Sequence, residues 1–235
     1  MPNFPRPLVL LLALATAALT LTACSSSSPA AKPTPTPTTS PAEQLASLAR
    51  AGAAAYYTAV YALKPSTSSS AATVTIRRTP TAYRVDIVTK SSDAILVRNK
   101  LGTYSCDKQK GKNTICFYVA RGGKPIPAAF DAGVQKVFGT YLTAFAQSAQ
   151  LYDVTLVDAR PAAGVLPEGR CFAVLPGPRS PQPAVAAGTY CFSSNGIPVH
   201  VAFRSGTLDI TSLAIETPSP RLLLPPVEAT PIPGV

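Results

Sequence analysis

The residues of this chain best suited to chemistry are five cysteines and one histidine. Cys106, Cys116, Cys171 and Cys191 lie within the body of the chain, and none has the Cys-x-x-Cys spacing typical of zinc sites. His200 is the only histidine, and cysteines tied into disulfides cannot act as nucleophiles. The sequence also lacks the Gly-x-Ser-x-Gly, phosphate-loop and His-Glu-x-x-His motifs. It therefore predicts a protein that is not an enzyme and that holds neither a metal nor another cofactor.

The fifth cysteine, Cys24, follows a typical export signal. An apolar run from Leu8 to Thr22 begins soon after Arg6. The run ends in the sequence LTAC at residues 21–24, which resembles the bacterial lipobox, and this resemblance implies diacylglyceryl modification of Cys24. Two acyl chains suffice for stable anchoring. An uncleaved anchor or a plain secretory signal would leave the cysteine at the cleavage point unexplained. We expect residues 1–23 to be a signal peptide and the protein to be lipid-anchored on the extracytoplasmic side of the cell membrane.

Lipidation of Cys24 leaves four cysteines in an oxidising compartment, and this even number predicts two disulfides. Three pairings are formally open. We prefer Cys106 with Cys116, because the two flank a short segment and would face each other across one hairpin. The second pair is then Cys171 with Cys191, which brackets a proline-rich loop.

The chain has 235 residues, and its 25 prolines are concentrated towards both ends. Residues 24–41, which are the lipidated cysteine and a Ser/Pro/Thr-rich stretch, cannot bury a core and predict an extended tether. Residues 42–217 predict a single globular domain, and residues 218–235 a proline-rich C-terminal tail. The formal net charge of +10 would suit nucleic acid, but an exported protein does not meet it, so we expect no such partner.

Hydrophobic periodicity predicts two rounds of one helix followed by several strands. A capping box of Ser40 and Glu43 begins the first helix, which we expect to continue to about Leu63. The second helix is expected over 126–149. Strands are expected near 72–79, 81–90, 93–99, 101–106, 114–120, 151–160, 169–175, 187–194, 197–204 and 207–216.

Turn signals at Asn195-Gly196 and Ser205-Gly206 set the register of the last three strands. The expected pairs are Phe192 with Val199, Tyr190 with Val201, Phe203 with Leu208, and Val201 with Ile210. These side chains share one apolar face, as an antiparallel sheet with one buried side requires. The opposite face is largely polar and carries Cys191, His200, Ala202, Arg204, Asp209 and Thr211.

This order of elements over residues 42–217, behind an export signal, resembles the LolA/LolB-like superfamily of lipoprotein carriers and sigma-factor-regulator sensor domains. The resemblance rests on element order and implies an α+β fold. In that fold a strongly curved antiparallel sheet, an open half-barrel, wraps two main helices and leaves an apolar cavity for acyl chains. Two disulfides would stabilise the fold here, although they are not a general feature of the superfamily.

The resemblance and the one-sided sheet together predict a non-enzymatic module that binds a lipid or another apolar ligand beneath the second helix. An empty cavity would favour this function. A filled core would favour the alternatives, which are a sensor or interaction domain for an envelope protein and a structural envelope lipoprotein without a ligand. The expected ligand-binding residues are Phe138, Tyr141, Leu142, Phe145, Tyr190, Phe192, Val199, Val201, Phe203 and Ile210.

Basic residues cluster around the expected Cys106–Cys116 hairpin. Lys108, Lys110 and Lys112 lie on its loop. Such a cluster could contact anionic lipid headgroups, each charge contributing about 1 kcal/mol near the surface. A solvated loop whose charges serve solubility is the alternative.

Overall fold

In the computed structural model, the described residues are 39–66, 71–131, 133–158, 169–181 and 185–232. The predicted signal peptide, Cys24 and most of the tether lie outside these residues. None of the described helices is long and apolar enough to cross a membrane.

The described residues form one twelve-stranded sheet with helical segments. The helices are α1 (Pro41–Ala54) and α2 (Thr140–Ser148), and 3-10 turns cover Gly133–Phe138, Ala149–Leu151 and Pro220–Leu223. The strands are β1 (Tyr57–Pro65), β2 (Ala72–Thr79), β3 (Ala82–Val88), β4 (Ser92–Arg98), β5 (Gly102–Gln109), β6 (Ile115–Arg121), β7 (Tyr152–Val157), β8 (Gly169–Pro176), β9 (Gly188–Ser193), β10 (Pro198–Phe203), β11 (Gly206–Ala214) and β12 (Ala229–Pro231).

The strand order is β12-β6-β5-β4-β3-β2-β1-β11-β10-β9-β8-β7, so the sheet is open. Every neighbouring pair is antiparallel except β12 with β6. The predicted α+β class with an antiparallel sheet is therefore confirmed, as are the ten expected strands, whose ends differ from the prediction by at most three residues.

The first helix is shorter than predicted. The capping box forms, with the Ser40 amide donating to Glu43 Oε2 over 2.8 Å, but α1 ends at Ala54. The segment expected to continue the helix is instead β1, which pairs with β2 on one side and β11 on the other. Its Tyr57, Ala59 and Tyr61 are buried at two-residue spacing. Aromatic and β-branched residues favour a strand at this point, and β1 joins the two halves of the sheet.

The second helix also differs from the prediction of 126–149. It begins as a 3-10 turn at Gly133 and becomes α-helical only at Thr140. Pro125 and Pro127 precede it in an irregular stretch, since proline restricts the residue before it away from helical conformation. Gly139 lies between the two helical segments, and a side chain at this position would collide with the Tyr83 hydroxyl group.

The register of the last strands is partly as predicted. Tyr190 pairs with Val201, but an irregularity in β10 places Phe192 opposite Pro198 instead of Val199. The β10–β11 loop is Arg204-Ser205, one position earlier than expected, and the pairing is therefore offset by two residues. Val201 faces Leu208, and Phe203 faces Gly206. Because side chains alternate between the two faces of a strand, an offset of two residues leaves each side chain on its predicted face. Ile210 therefore still points into the core, where it lies opposite Tyr61 of β1.

Both preferred disulfides form, Cys106–Cys116 and Cys171–Cys191. Each joins residues directly opposite one another on neighbouring strands. Cys106 and Cys116 also belong to a small second core with Ile95 and Val97, on the side of the sheet away from the helices.

The segment after residue 217, which its composition set apart as a tail, packs against the sheet up to residue 232. Its strand β12 places Ala229 beside Cys116, where it packs against the second core. Leu223 is buried, and its carbonyl oxygen accepts a hydrogen bond from Asn99 Nδ2 over 3.2 Å. Proline-rich composition therefore does not prevent this stretch from covering part of the sheet.

Candidate functional site

The ten residues predicted to bind an apolar ligand do come together on one face of the sheet. Nine of them are buried members of the main core, and Phe203 is partly buried against it. Phe145 of α2 lies at the centre, with its ring centroid 5.1 Å from that of Tyr190 and 6.4 Å from that of Phe192. We call these ten residues the aromatic cluster.

The side chains of the aromatic cluster are closely packed and largely closed to solvent. The Tyr190 hydroxyl donates to the carbonyl of Ala186 over 2.7 Å, and burial raises the pKa of Tyr190 well above its usual value. Tyr141 contacts Tyr190 edge to face, at 6.2 Å between centroids. None of the ten residues lines the clefts described below. Close-packed aromatic rings are typical of a hydrophobic core.

An open cleft lies on the same face, at the end of the sheet where β2 turns into β3. Its volume is about 670 Å³. Four segments line it. They are the β2–β3 turn with the strand ends beside it (78–83), the end of β4 with the β4–β5 turn (98–100), the stretch 123–131, and the start of the second helix (139–143). We call it the end cleft. Its volume lies within the range of ordinary ligand pockets.

Arg78 forms part of the wall of the end cleft and is only 7% exposed. Its guanidinium donates to the carbonyl oxygens of Ala53 and Phe138, at 3.2 and 2.5 Å, and lies over the Tyr83 ring at 5.4 Å. Burial raises the pKa of Tyr83 to about 12. These contacts fix the cation between α1, the second helical segment and β3.

Asp131 is a second buried charged residue in the wall, 4% exposed. One carboxylate oxygen accepts a hydrogen bond from the Thr140 hydroxyl, whereas Oδ1 has no partner among the described residues. A buried carboxylate oxygen without a donor is costly. The end cleft therefore has a polar wall, unlike the aromatic cluster.

An apolar groove of about 430 Å³ adjoins the end cleft. The two share the residues of both turns, 79–82 and 99–100. Tyr56, Leu101 and Leu224 line the groove and are 47%, 61% and 46% exposed. The C-terminal segment forms one wall, and Lys100 lies on the rim. Apolar side chains exposed together in this way are typical of interaction surfaces.

Sequence reasoning missed this site because its walls come from segments far apart in the chain. One signal was present, since Arg78 lies two residues after Ile76 and four after Val74, on the inward face of β2. A cation in phase with buried aliphatic residues indicates a polar position within the core. The leucines at 222–224 lie in the segment whose composition predicts a tail.

The other residues singled out lie elsewhere. His200 faces Asp209 across β10 and β11 on the expected polar face, with 2.6 Å between Nδ1 and Oδ1. Among the described residues, no group of histidine, cysteine and acidic side chains could hold a metal ion. Lys108, Lys110 and Lys112 are exposed at the end of the sheet opposite the end cleft.

No known protein family and no curated protein matches this sequence. Similar solved structures include the Pseudomonas aeruginosa MucA/MucB complex, at 16% identity and a TM-score of 0.47, over 79% of this chain and 60% of that one. MucB in complex with MucA(peri) matches at 16% identity and a TM-score of 0.46, over 78% of this chain and 59% of that one. MucB alone matches at 19% identity and a TM-score of 0.47, over 78% of this chain and 62% of that one. This chain thus spans about 60% of the length of these structures. The TM-scores lie below 0.5, and no function is transferred from these proteins.

Proposed function

We propose that this chain is an extracytoplasmic interaction domain that binds a segment of an envelope protein in the end cleft and its apolar groove. The observation that carries the proposal is the contrast between a closed aromatic cluster and an open, partly apolar surface at the end of the same sheet. A filled core removes the space that a carried lipid would need, whereas exposed leucine and tyrosine side chains beside a cleft suit a protein partner.

The charges around the cleft indicate the chemistry of the partner. Arg98, Lys100 and Lys124 lie around the β4–β5 turn, and Arg98 donates to the Lys124 carbonyl over 3.0 Å. Arg221 is exposed on the 3-10 turn that borders the groove. We therefore propose an extended segment with apolar anchors for the groove and acidic residues for the rim, because complementary charge favours association and correct register.

We further propose that the sheet curves around its helices in the LolA/LolB-like manner. One continuous core includes residues from β4 to β7, which are nine strands of the sheet. Flat strands at about 4.8 Å spacing would extend over roughly 38 Å from β4 to β7. Two helices, each about 10 Å across, cover less than this width. A curved sheet accounts for the single core.

The lipid anchor at Cys24 is part of the same proposal. It would hold the interaction domain beside the membrane, on the tether of residues 24–41. Removing the sulfur that would carry the diacylglyceryl group, Cys24→Ala, should leave the chain unprocessed or release it from membranes in detergent-phase fractionation. A variant that is still processed and still membrane-bound would contradict the anchor.

A lipid ligand beneath α2 is the second candidate. One observation favours it: α2 has only nine residues, with 3-10 turns before and after it, and it covers the aromatic cluster. Movement of this short segment would uncover Phe145 and its neighbours. The closed packing makes the protein partner the stronger proposal.

Site-specific photo-crosslinking in cells tests the main proposal. A photoreactive amino acid at Leu101, beside the groove, should give one defined protein adduct. Leu175 is a matched control, because it is also an exposed leucine, 53% accessible, but lies on β8. The Leu101 adduct should disappear when Lys100→Glu reverses the charge at the rim. The same adduct at both positions, or none at Leu101, would overturn the proposal.

A further inference from the structure

The end of the sheet opposite the end cleft consists of two neighbouring turns. The β3–β4 turn with the strand ends beside it covers residues 88–92, and the β5–β6 turn with the strand ends beside it covers residues 108–115. The backbone joins them, because the Lys110 amide donates to the Ser91 carbonyl over 2.9 Å. We call these two turns the lysine tips.

The lysine tips carry four exposed lysines. The predicted cluster of Lys108, Lys110 and Lys112 gains Lys90 from the neighbouring turn. Lys90, Lys108 and Lys110 line a shared cleft of about 300 Å³, together with Thr89, Ser91 and Ser92. Two acidic residues belong to the same region, because Asp93 also lines this cleft and Asp107 is exposed beside Lys108. Four lysines against two carboxylates leave the tips with a net positive formal charge.

Apolar side chains are exposed directly beside these lysines. Ile115 is 57% exposed, Val88 44% and Phe117 38%. They lie on both faces of the sheet, since Ile115 and Phe117 share the face of Leu96, whereas Val88 aligns with Asp93 and Lys108 on the other. Asp107 lies directly opposite Ile115, and the lysines lie next to these positions and in the adjoining turns. Exposed apolar side chains with lysines beside them are typical of segments that lie in the bilayer interface.

The tips are also rigid enough to act as a unit. The Cys106–Cys116 disulfide crosslinks β5 and β6 just behind the second turn. Gly111, with a φ of 75°, supplies the left-handed residue that this turn requires. Little conformational entropy would therefore be lost when the tips bind a surface.

We propose that the lysine tips bind the surface of an anionic bilayer, with Ile115 and Phe117 inserted at the headgroup level. This contact is separate from the lipid anchor and from the partner-binding cleft. The strands between the two ends, such as β3 with seven residues, are about 23 Å long. Tips held at the membrane would therefore direct the end cleft away from the bilayer, towards a partner.

Tryptophan fluorescence provides the test, because the natural chain contains no tryptophan. The purified full mature chain with Ile115→Trp is mixed with phosphatidylcholine vesicles, with or without phosphatidylglycerol. We expect a blue shift and quenching by brominated lipid only when phosphatidylglycerol is present, both weakened by high salt. Leu175→Trp, on β8, is the matched exposed control and should show neither change.

Removing the charges sharpens the test. Each lysine is expected to account for about fivefold in vesicle affinity. Replacing Lys90, Lys108, Lys110 and Lys112 with serine should therefore abolish the shift of Ile115→Trp without changing the thermal midpoint. No shift with anionic vesicles, equal shifts at Leu175→Trp, or an undiminished shift in the serine variant would each overturn the proposal. Photo-crosslinking at Leu101 reports the cleft independently of these outcomes.

Discussion

The aromatic cluster and the end cleft lie on one face of one sheet, yet the first is closed and the second is open. In the cluster, aromatic and aliphatic side chains from the second helical segment and from strands β9 to β11 pack against one another. In the end cleft, the strands have ended, and turns with proline and glycine replace them. Arg78 and Asp131 are buried polar residues in its wall.

The difference shows that an apolar pattern alone does not mark a binding site. The side chains of the ten predicted ligand residues pack closely against one another, and close packing is typical of a hydrophobic core. Openness arises where the polar groups of Arg78 and Asp131 limit packing and where the chain changes direction. The proposed function therefore places binding at the edge of the core, and the following experiments test this placement.

The largest expected effect is the loss of a central ring of the cluster. Phe145→Ala should lower the free energy of unfolding by about 3–5 kcal/mol, because the removed ring leaves a cavity among Tyr190 and Phe192. Denaturant titration measures it. Leu175→Ala, at an exposed position, should stay within about 0.5 kcal/mol of the natural chain. A loss below about 1 kcal/mol for Phe145→Ala would mean that the cluster is not close-packed.

Overfilling the cluster should have a smaller effect. Val201 is 1% exposed, and Val201→Trp should cost about 1–3 kcal/mol, because no space exists for the larger side chain. Thr211→Trp, on the exposed face of β11, is the control. Thermal melts with a fluorescent fatty-acid titration separate the two candidate functions. If Val201→Trp is as stable as the natural chain, and the natural chain binds the fatty acid, a lipid cavity would be favoured instead.

Alkaline pH should act on the wall of the end cleft. Burial raises the pKa of Tyr83 to about 12, above its usual value of 10.0. The stabilising contribution of neutral Tyr83 is therefore present below pH 10 and is lost as the pH rises towards about 12. Tyr83→Phe should make the unfolding free energy fall less steeply over this range. Identical pH profiles for the two chains would contradict the buried state of this hydroxyl.

Features encoded in short stretches could be predicted from the sequence. The capping box at Ser40, the strands from Ala72 to Arg121 and both disulfides depend on local patterns and close spacing. The sequence predicts helix where β1 forms, because Tyr56, Val60 and Leu63 also fit helical spacing, whereas the two pairings of β1 are formed with other segments of the chain. The observed turn at Arg204-Ser205 lies one residue before the predicted one, and this shifts the strand register by two residues.

The end cleft could not be predicted in the same way. Its walls meet only after the β2–β3 turn, the β4–β5 turn and the second helical segment have packed, and its apolar groove needs the C-terminal segment as well. Composition assigned that segment to a tail. The one sequence signal for this end of the sheet is that Arg78 alternates in step with the buried residues Val74 and Ile76 of β2.

The most direct test of the central claim is the affinity of this chain for the segment captured at Leu101. Isothermal titration compares the natural chain with Leu101→Asp and Leu175→Asp, which place the same charge on two exposed leucines. We expect Leu101→Asp to weaken binding at least about tenfold, since it removes an apolar anchor, and Leu175→Asp to bind as the natural chain does. Equal affinities for all three chains, or equal losses in both variants, would contradict binding in the groove beside the end cleft.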